Sequence, residues 1–282
     1  MSKQKTYPRF DLGQRIEHAV LLISFTTLAV TGLPQKFADA SWAQIMVQLM
    51  GGIETIRIIH RVAAVVLMLG SIYHGGIVTY KVAVKRVHLT MLPGWGDVKD
   101  AFQQFFYNLG WKKSLPQMGR YTFAEKAEYW SLVWGTVMMI ITGFMLWNPI
   151  ATTKLLPGEF IPAAKAAHGA EAVLAVLAIV TWHVYHVHLK FFNKSMFTGR
   201  IDHHAMEEEH PLELARIESG RTEPPVDPAA LRRRQRIFIP IAAVITLVLL
   251  AGLYIFVTFE ETAIETVPRQ NVEIFTPATP EP

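Results

Sequence analysis

Five stretches of this chain are apolar for long enough to cross the hydrocarbon core of a bilayer, about 30 Å or roughly 20 residues as helix. They lie near Ile16–Leu33, Ile56–Tyr80, Tyr129–Trp147, Ala163–Leu189 and Ile237–Phe259. Only 18% of the 282 residues are charged, against about a quarter in a soluble domain, and the mean hydropathy is +0.26. The expectation is an all-α integral membrane protein. The fifth run has no charge between Ile237 and Phe259 and reads as a plain anchor. The second and fourth carry His, and the first has His18 near its start.

Lys and Arg give an orientation. The N-terminal stretch holds Lys3, Lys5, Arg9 and Arg15, the Lys81–Lys126 connection holds eight such residues, and the Lys190–Arg236 connection nine. Between the other span ends lie Lys36, Lys154, Lys165 and Arg269, with Arg57 and Arg61 at the mouth of the second span. The positive-inside bias predicts a cytoplasmic N-terminus and an extracytoplasmic C-terminus in the cell membrane, with no cleaved signal peptide. Asp97 is a candidate cap for an interfacial helix with Val98, Phe102, Phe105 and Phe106 on one side, and Trp42, Ile45, Met46 and Leu49 form a similar face outside. Glu207–Pro228 and the tail from Glu260 are acidic or Pro-rich, and are expected to order only with partners. The chain divides into a four-helix domain over 1–190, a connection over 191–236, a fifth transmembrane helix over 237–259 and a tail over 260–282.

There is no cysteine, which excludes disulfides, thiolate zinc, iron–sulfur clusters and covalently attached haem. A metal centre must rest on the 11 His, on Met or on carboxylates. His60 and His74 are 14 residues apart, so an α-helix turns about 1400° between them, about 40° short of four turns, and rises about 21 Å. His168 and His183, 15 apart on the fourth span, are separated by about 22 Å. Both spans run outside to inside, so His60 matches His168 in depth and His74 matches His183. Paired imidazoles at two depths suit two stacked b-type haems, since bis-imidazole iron carries electrons and leaves no open coordination position. Small residues beside the ligands, Ala63, Ala64, Gly70, Gly169, Ala172 and Ala175, leave room for a macrocycle. Arg57 and Arg61 are candidates for pairing with outer propionates. His186 and His188 are candidates for a third haem or for polar caps, and His88, His203, His204 and His210 read as solvated.

An internal repeat supports this layout. Arg15-Ile-Glu-His18 with Thr31-Gly32 matches Lys126-Ala-Glu-Tyr129 with Thr142-Gly143 at equal spacing, and the His60–His74 segment corresponds to His168–His183. A duplicated helix pair predicts a pseudo-symmetric four-helix bundle with the fifth span appended. In this alignment His18 corresponds to Tyr129.

The motifs Arg9-Phe10, Arg15-Ile-Glu-His18, Thr31-Gly32-Leu33, Arg57-Ile-Ile-His60, Arg120-Tyr-Thr-Phe-Ala-Glu-Lys126 and His183-Val-Tyr185 resemble those of the cytochrome b (gamma) subunits of membrane-bound formate dehydrogenases. Related hydrogenase and thiosulfate reductase b subunits share them. The resemblance covers Arg9 to Leu189 and implies a di-haem, quinone-reactive anchor for an extracytoplasmic redox subunit. It further implies that His60 and His168 hold the outer haem, and His18 and His183 the inner one. His74 is additional to that pattern, so the inner haem's second ligand is His18 by resemblance and His74 by spacing. Thr122 stands where those anchors have an Asn near the quinone.

The expected function is electron transfer between the quinone pool and an extracytoplasmic redox subunit, whether a multihaem cytochrome c, an iron–sulfur or a molybdenum protein. Such a chain is an electron-transfer subunit of a quinone-linked oxidoreductase complex, with lipid and quinone as partners and no nucleic acid. Two haems b are expected, or three if His186 and His188 take part. Quinone would bind at the cytoplasmic end among Arg15, Glu17, Thr122, Glu125, Lys126 and Glu128, where carboxylates can relay protons. The alternative is a His-lined proton or metal transporter.

Overall fold

The computed structural model describes residues 5–190, 192–220 and 227–259. Strand β1 (Thr6–Pro8) leads into α1 (Leu12–Lys36), a short α2 (Ser41–Leu49) and α3 (Ile53–Ala83). Then come α4 (Trp95–Asn108), α5 (Phe123–Trp147), α6 (Pro149–Leu155) and α7 (Phe160–Ala178), which continues as a π-helix over Ile179–Lys190. Next are α8 (Ser195–Thr198), β2 (Arg200–Asp202), α9 (His203–Glu209), α10 (Pro211–Glu218) and α11 (Pro228–Thr258). Five of these helices, with α7 and its π continuation counted as one, are long and apolar enough to cross a membrane. The all-α membrane fold expected from the five apolar runs is borne out. The tail from Glu260 lies outside the described residues.

The long helices begin earlier than the apolar runs, and at α1, α5 and α11 polar caps set their starts. Asp11 accepts from the Gln14 backbone while Gln14 reaches back to the Asp11 N–H, and Thr122 and Glu125 make the same reciprocal pair at α5. Each box satisfies two N–H groups that the first turn would leave without partners. Asp227 caps α11, with Pro228 at the position where a missing N–H costs nothing. At α4 the expected cap is corrected. Gly94 is the N-cap, and Asp97, at the third helical position, accepts from the Gly94 N–H.

α1 packs on α3 and α5 on α7, and α1 also meets α7, which closes the two helix pairs into a four-helix bundle. α11 lies alongside this bundle. Phe238 meets Tyr80 of α3 edge-on near its start, and Phe256 packs on Phe144 and Trp147 of α5 near its end, with ring centres 5.6, 5.1 and 5.1 Å apart. Its other apolar residues, among them Ile237, Val244, Leu247 and Val248, face outward, as a lipid-facing helix requires.

A small polar-rimmed cap covers the end of the bundle that bears the N-terminus. β1 pairs antiparallel with β2, Tyr7 opposite Ile201, and these two pack with Ala205, Met206 and Leu214. The expectation of weak order over Glu207–Pro228 is therefore corrected for residues up to Gly220; 221–226 lie outside the described residues. His210, expected in solvent, is 1% exposed, and its Nδ1 donates to the Gly119 carbonyl. The correction has one cause: the apolar partners of this segment come from Tyr7, two hundred positions away.

Glu209 sits in this cap, facing Arg9, Glu125 and Lys190 from neighbouring elements and Glu208 from its own. Burial and the two carboxylates push its carboxyl up from 4.5 to about 7, against the pull of Lys190 and Arg9. Across that window the folded cap holds more protons than the unfolded segment, so its stability falls as pH rises and the loss is complete above about 7. His210, held below its ordinary value by burial and Arg9, has the opposite slope in parent and variant alike. Glu209→Gln is expected to remove the first slope only, seen as a proteolysis rate relative to the parent that falls between pH 5 and 8. A pH-independent ratio would refute it.

Candidate cofactor site

Two imidazole pairs lie inside the bundle. His60 of α3 stands opposite His168 of α7, ring centres 6.4 Å apart. His18 of α1 stands opposite His183 of the π-helical segment, again at 6.4 Å. A metal–imidazole nitrogen bond is about 2 Å, and the nitrogen lies about 1.1 Å from its ring centre, so a metal between two opposed imidazoles would hold their centres about 6.2 Å apart. Among the described residues no group of three or more His, Cys, Asp or Glu could hold a metal ion. A metal between either pair would gain two protein ligands, and the remaining positions suit a four-nitrogen macrocycle.

The repeat explains how the rings are held. The His60 Nδ1–H donates to Thr31 Oγ1 and the His168 Nδ1–H to Thr142 Oγ1, each at 2.9 Å. Each hydroxyl spends its own proton on a carbonyl one turn back, Thr27 and Met138, so it can only accept from the ring. That fixes the tautomer and leaves Nε2 as the free ligand atom. The glycine after each Thr leaves room for the same ring. A Cβ at Gly32 would lie 3.0 Å from His60 Cε1, and one at Gly143 3.4 Å from His168 Cε1. Thr-Gly was legible in the sequence only as a marker of duplication; its role lies in these contacts.

At the other pair the duplication is broken. Glu17 and Glu128 are equivalent residues, and each holds a His of the opposite helix of its own hairpin: Glu128 Oε2 is 3.0 Å from His183 Nδ1, and Glu17 Oε2 is 2.5 Å from His74 Nδ1. With Nδ1 held by Glu128, the His183 ring faces His18. His74 does not keep its Nε2, which is 3.0 Å from the Tyr129 hydroxyl, and Tyr129 is the residue that replaces His in the second repeat. The depth match of His74 with His183 thus becomes two separate partnerships, His18 with His183 and Tyr129 with His74. The π-helix contributes, because its wider turn re-aims His183 relative to an α-helical continuation from His168.

The other candidates are placed as follows. Arg57 is half exposed and pairs with Glu54 at 3.0 Å. Arg61 lies over the Trp147 ring, 4.6 Å from its centre. His186 donates through Nδ1 to the Trp182 carbonyl and packs on Trp182 and Tyr185, and the His188 ring lies against Phe192. Their ring contacts are thus with aromatic side chains, although His188 also lies among the groups near His18. Of the six residues expected around a quinone, Glu17 and Glu128 hold His rings. Thr122 and Glu125 cap α5, Arg15 bonds the Met196 and Phe197 carbonyls, and Lys126 pairs with Asp97 at 2.7 Å.

Comparison with known proteins bears out the resemblance carried by the motifs. The chain is 23% identical over 158 residues to the cytochrome b556 (fdo) subunit of formate dehydrogenase from Escherichia coli (strain K12), across 53% of this chain and 64% of the relative. It thus spans less than two thirds of that relative's length. It is 21% identical over 224 residues to the cytochrome b556 (Fdn) subunit of the nitrate-inducible formate dehydrogenase of the same strain, across 78% of this chain and 95% of the relative. The Shigella flexneri Fdn subunit matches to the same extent. No family model matches the chain. The five apolar helices and these relatives identify it as a membrane protein similar to cytochrome b subunits.

Proposed function

We propose that the chain is a di-haem cytochrome b that carries electrons across a membrane, between a quinone pool at its N-terminal end and a redox subunit docked at the opposite end. The observation that carries this reading is the pair of imidazole couples, both 6.4 Å apart, at two levels of one bundle. Two haems b fit the donor set. Bound there, each would supply a six-coordinate iron that cycles between ferric and ferrous without opening a position for substrate.

The protein's part is orientation and tuning. Thr31 and Thr142 hold His60 and His168 as neutral Nδ1–H tautomers. Glu128 does the same for His183 with a carboxylate, which makes that imidazole the more basic donor and favours the ferric state at the inner site. Haem retention at the outer site is expected to fall about 10- to 100-fold in Thr31→Val or Thr142→Val, measured by titrating haem into the purified apoprotein. Unchanged affinity in both variants would show that the hydroxyls do not set the ring.

The positive-inside rule supports a cytoplasmic N-terminus and cap. Quinone is assigned to that end because Glu17 and Glu128 stand at the level of the inner pair and can accept protons released or required by quinone chemistry. The redox subunit is assigned to the opposite face, over the loops 34–55 and 147–162, where Trp42, Ile45 and Leu49 of α2 are exposed. The formate dehydrogenase relatives support a partner in an oxidoreductase complex. The direct experiment is a reduced-minus-oxidised spectrum with a pyridine haemochrome assay on the purified protein, followed by reduction with a soluble quinol. Two haems b per chain, reduced by quinol, are expected; protein without haem b would overturn the reading.

A further inference from the structure

Four polar side chains near the His60–His168 pair are not used by the reading above. Trp147 Nε1 and both amide atoms of Asn148 are buried without a hydrogen-bond partner among the described residues, and Asn148 is 0% exposed. A buried polar atom left unpaired costs about 1–3 kcal/mol, so orphans clustered on consecutive residues point to a missing polar ligand. Both residues close α5, five and six positions beyond Thr142, which orients His168. The Arg61 guanidinium lies over the same indole, one residue beyond the ligand candidate His60.

The repeat supplies a counterpart. Gly169 follows His168 as Arg61 follows His60, and Lys36 lies five residues beyond Thr31 as Trp147 lies five beyond Thr142. The contact Arg61–Trp147 therefore has a twin in Gly169–Lys36. There Gly169 lacks the side chain that would collide. A Cβ on it would lie 2.6 Å from Lys36 Cδ and 2.9 Å from Lys36 Nζ. The two halves have exchanged which helix carries the cation, and each keeps one cation beside one ligand candidate of the outer pair.

We propose that Lys36 and Arg61, with the Trp147 indole N–H and the Asn148 amide, form the cradle for the two carboxylates of the haem held by His60 and His168. This rests on the di-haem reading. Two cations match the two negative charges of a haem's propionates. The indole and amide N–H groups add neutral donors that orient a carboxylate without further charge.

The test is spectroelectrochemical titration of both haems in Lys36→Met, Arg61→Met, Trp147→Phe and Asn148→Leu. A cation beside the cofactor favours the added electron. Each Met variant is expected to lower the midpoint of the outer haem by tenfold in the redox equilibrium, about 59 mV for one electron, and to leave the inner haem unmoved. Trp147→Phe and Asn148→Leu are expected to weaken haem retention at the outer site alone. Reconstitution with haem dimethyl ester, which offers the cations no carboxylate to hold, should give parent and Met variants one affinity at the outer site, where native haem binds the Met variants more weakly than the parent. Unchanged midpoints and retention in all four variants, or a loss of affinity in the Met variants as large with the ester as with native haem, would overturn the proposal. Should a Met variant bind no outer haem, Lys36→Arg and Arg61→Lys decide: outer haem kept supports the cradle, and outer haem lost despite the kept charge overturns it. A parent without haem b would instead overturn the di-haem reading itself.

Discussion

Purified His18→Ala protein is expected to carry one haem b per chain where the parent carries two, and His74→Ala protein to keep both. The spacing of His60, His74, His168 and His183 favours a symmetric quartet, and on spacing alone His74 would be the ligand. The geometry argues otherwise. His18 and His183 face each other at 6.4 Å, while His74 is bonded at both ring nitrogens, to Glu17 at 2.5 Å and to Tyr129 at 3.0 Å. To ligate iron, His74 would have to give up the Tyr129 hydroxyl, and the imidazole at its depth, His183, already faces His18. On the proposed di-haem reading, His18→Ala would remove one of the two imidazoles available to the inner haem, so loss of that haem should be complete. The pyridine haemochrome ratio measures it. Two haems in His18→Ala, or one in His74→Ala, would reverse the assignment.

The second large effect is expected at Arg9. Its side chain is 2% exposed and is bonded to Glu125 at 2.8 Å and to the Arg120 carbonyl. Arg120 returns a bond to the Arg9 carbonyl at 2.9 Å, and the Arg9 N–H donates to the Gly199 carbonyl at 2.8 Å. One residue thus joins the turn before α5, through its side chain, to the N-terminal segment and, through its backbone N–H, to Gly199. Breaking a buried pair by removing one partner costs about 3–5 kcal/mol. Glu125 is 37% exposed and recovers part of its hydration, so Arg9→Ala should destabilise the cap by about 2–3 kcal/mol. Arg9→Lys should recover little, because an ammonium cannot fork between a carbonyl and a carboxylate. Limited proteolysis of full-length protein in detergent is the check, with cleavage between 192 and 220 expected to quicken more than tenfold in both variants. Parent-like cleavage would show that the cap does not depend on Arg9.

The parts legible in the sequence were those encoded by local pattern. Apolar length gave the five spans, and the Thr-Gly and Glu-His/Tyr repeats gave the duplication. The cap was not legible, because its core joins Tyr7 to Ile201, Met206 and Leu214 and no period in either segment reports the other. His210 was misread for the same reason: a His in a polar stretch reads as solvated until Gly119 and Arg9 close over it. The Asp97 cap was displaced by three positions because a carboxylate can serve the first turn from the third helical residue as well as from the N-cap.

Some features needed only the sequence. Bilayer thickness sets span length, so apolar runs of this size settle the fold class without any knowledge of packing. Zero cysteines exclude thiolate chemistry whatever the fold. The duplication, too, is a property of the sequence. The tertiary structure alone decided which histidines face one another. That choice depends on the π-helical turn that aims His183, on the Tyr129 hydroxyl that takes the Nε2 of His74, and on the Thr and Glu acceptors that hold one nitrogen of His60, His168 and His183. Spacing along a helix fixes a depth and an angle on that helix only. The partner is set by how the neighbouring helices are rotated and which side chains reach the ring first.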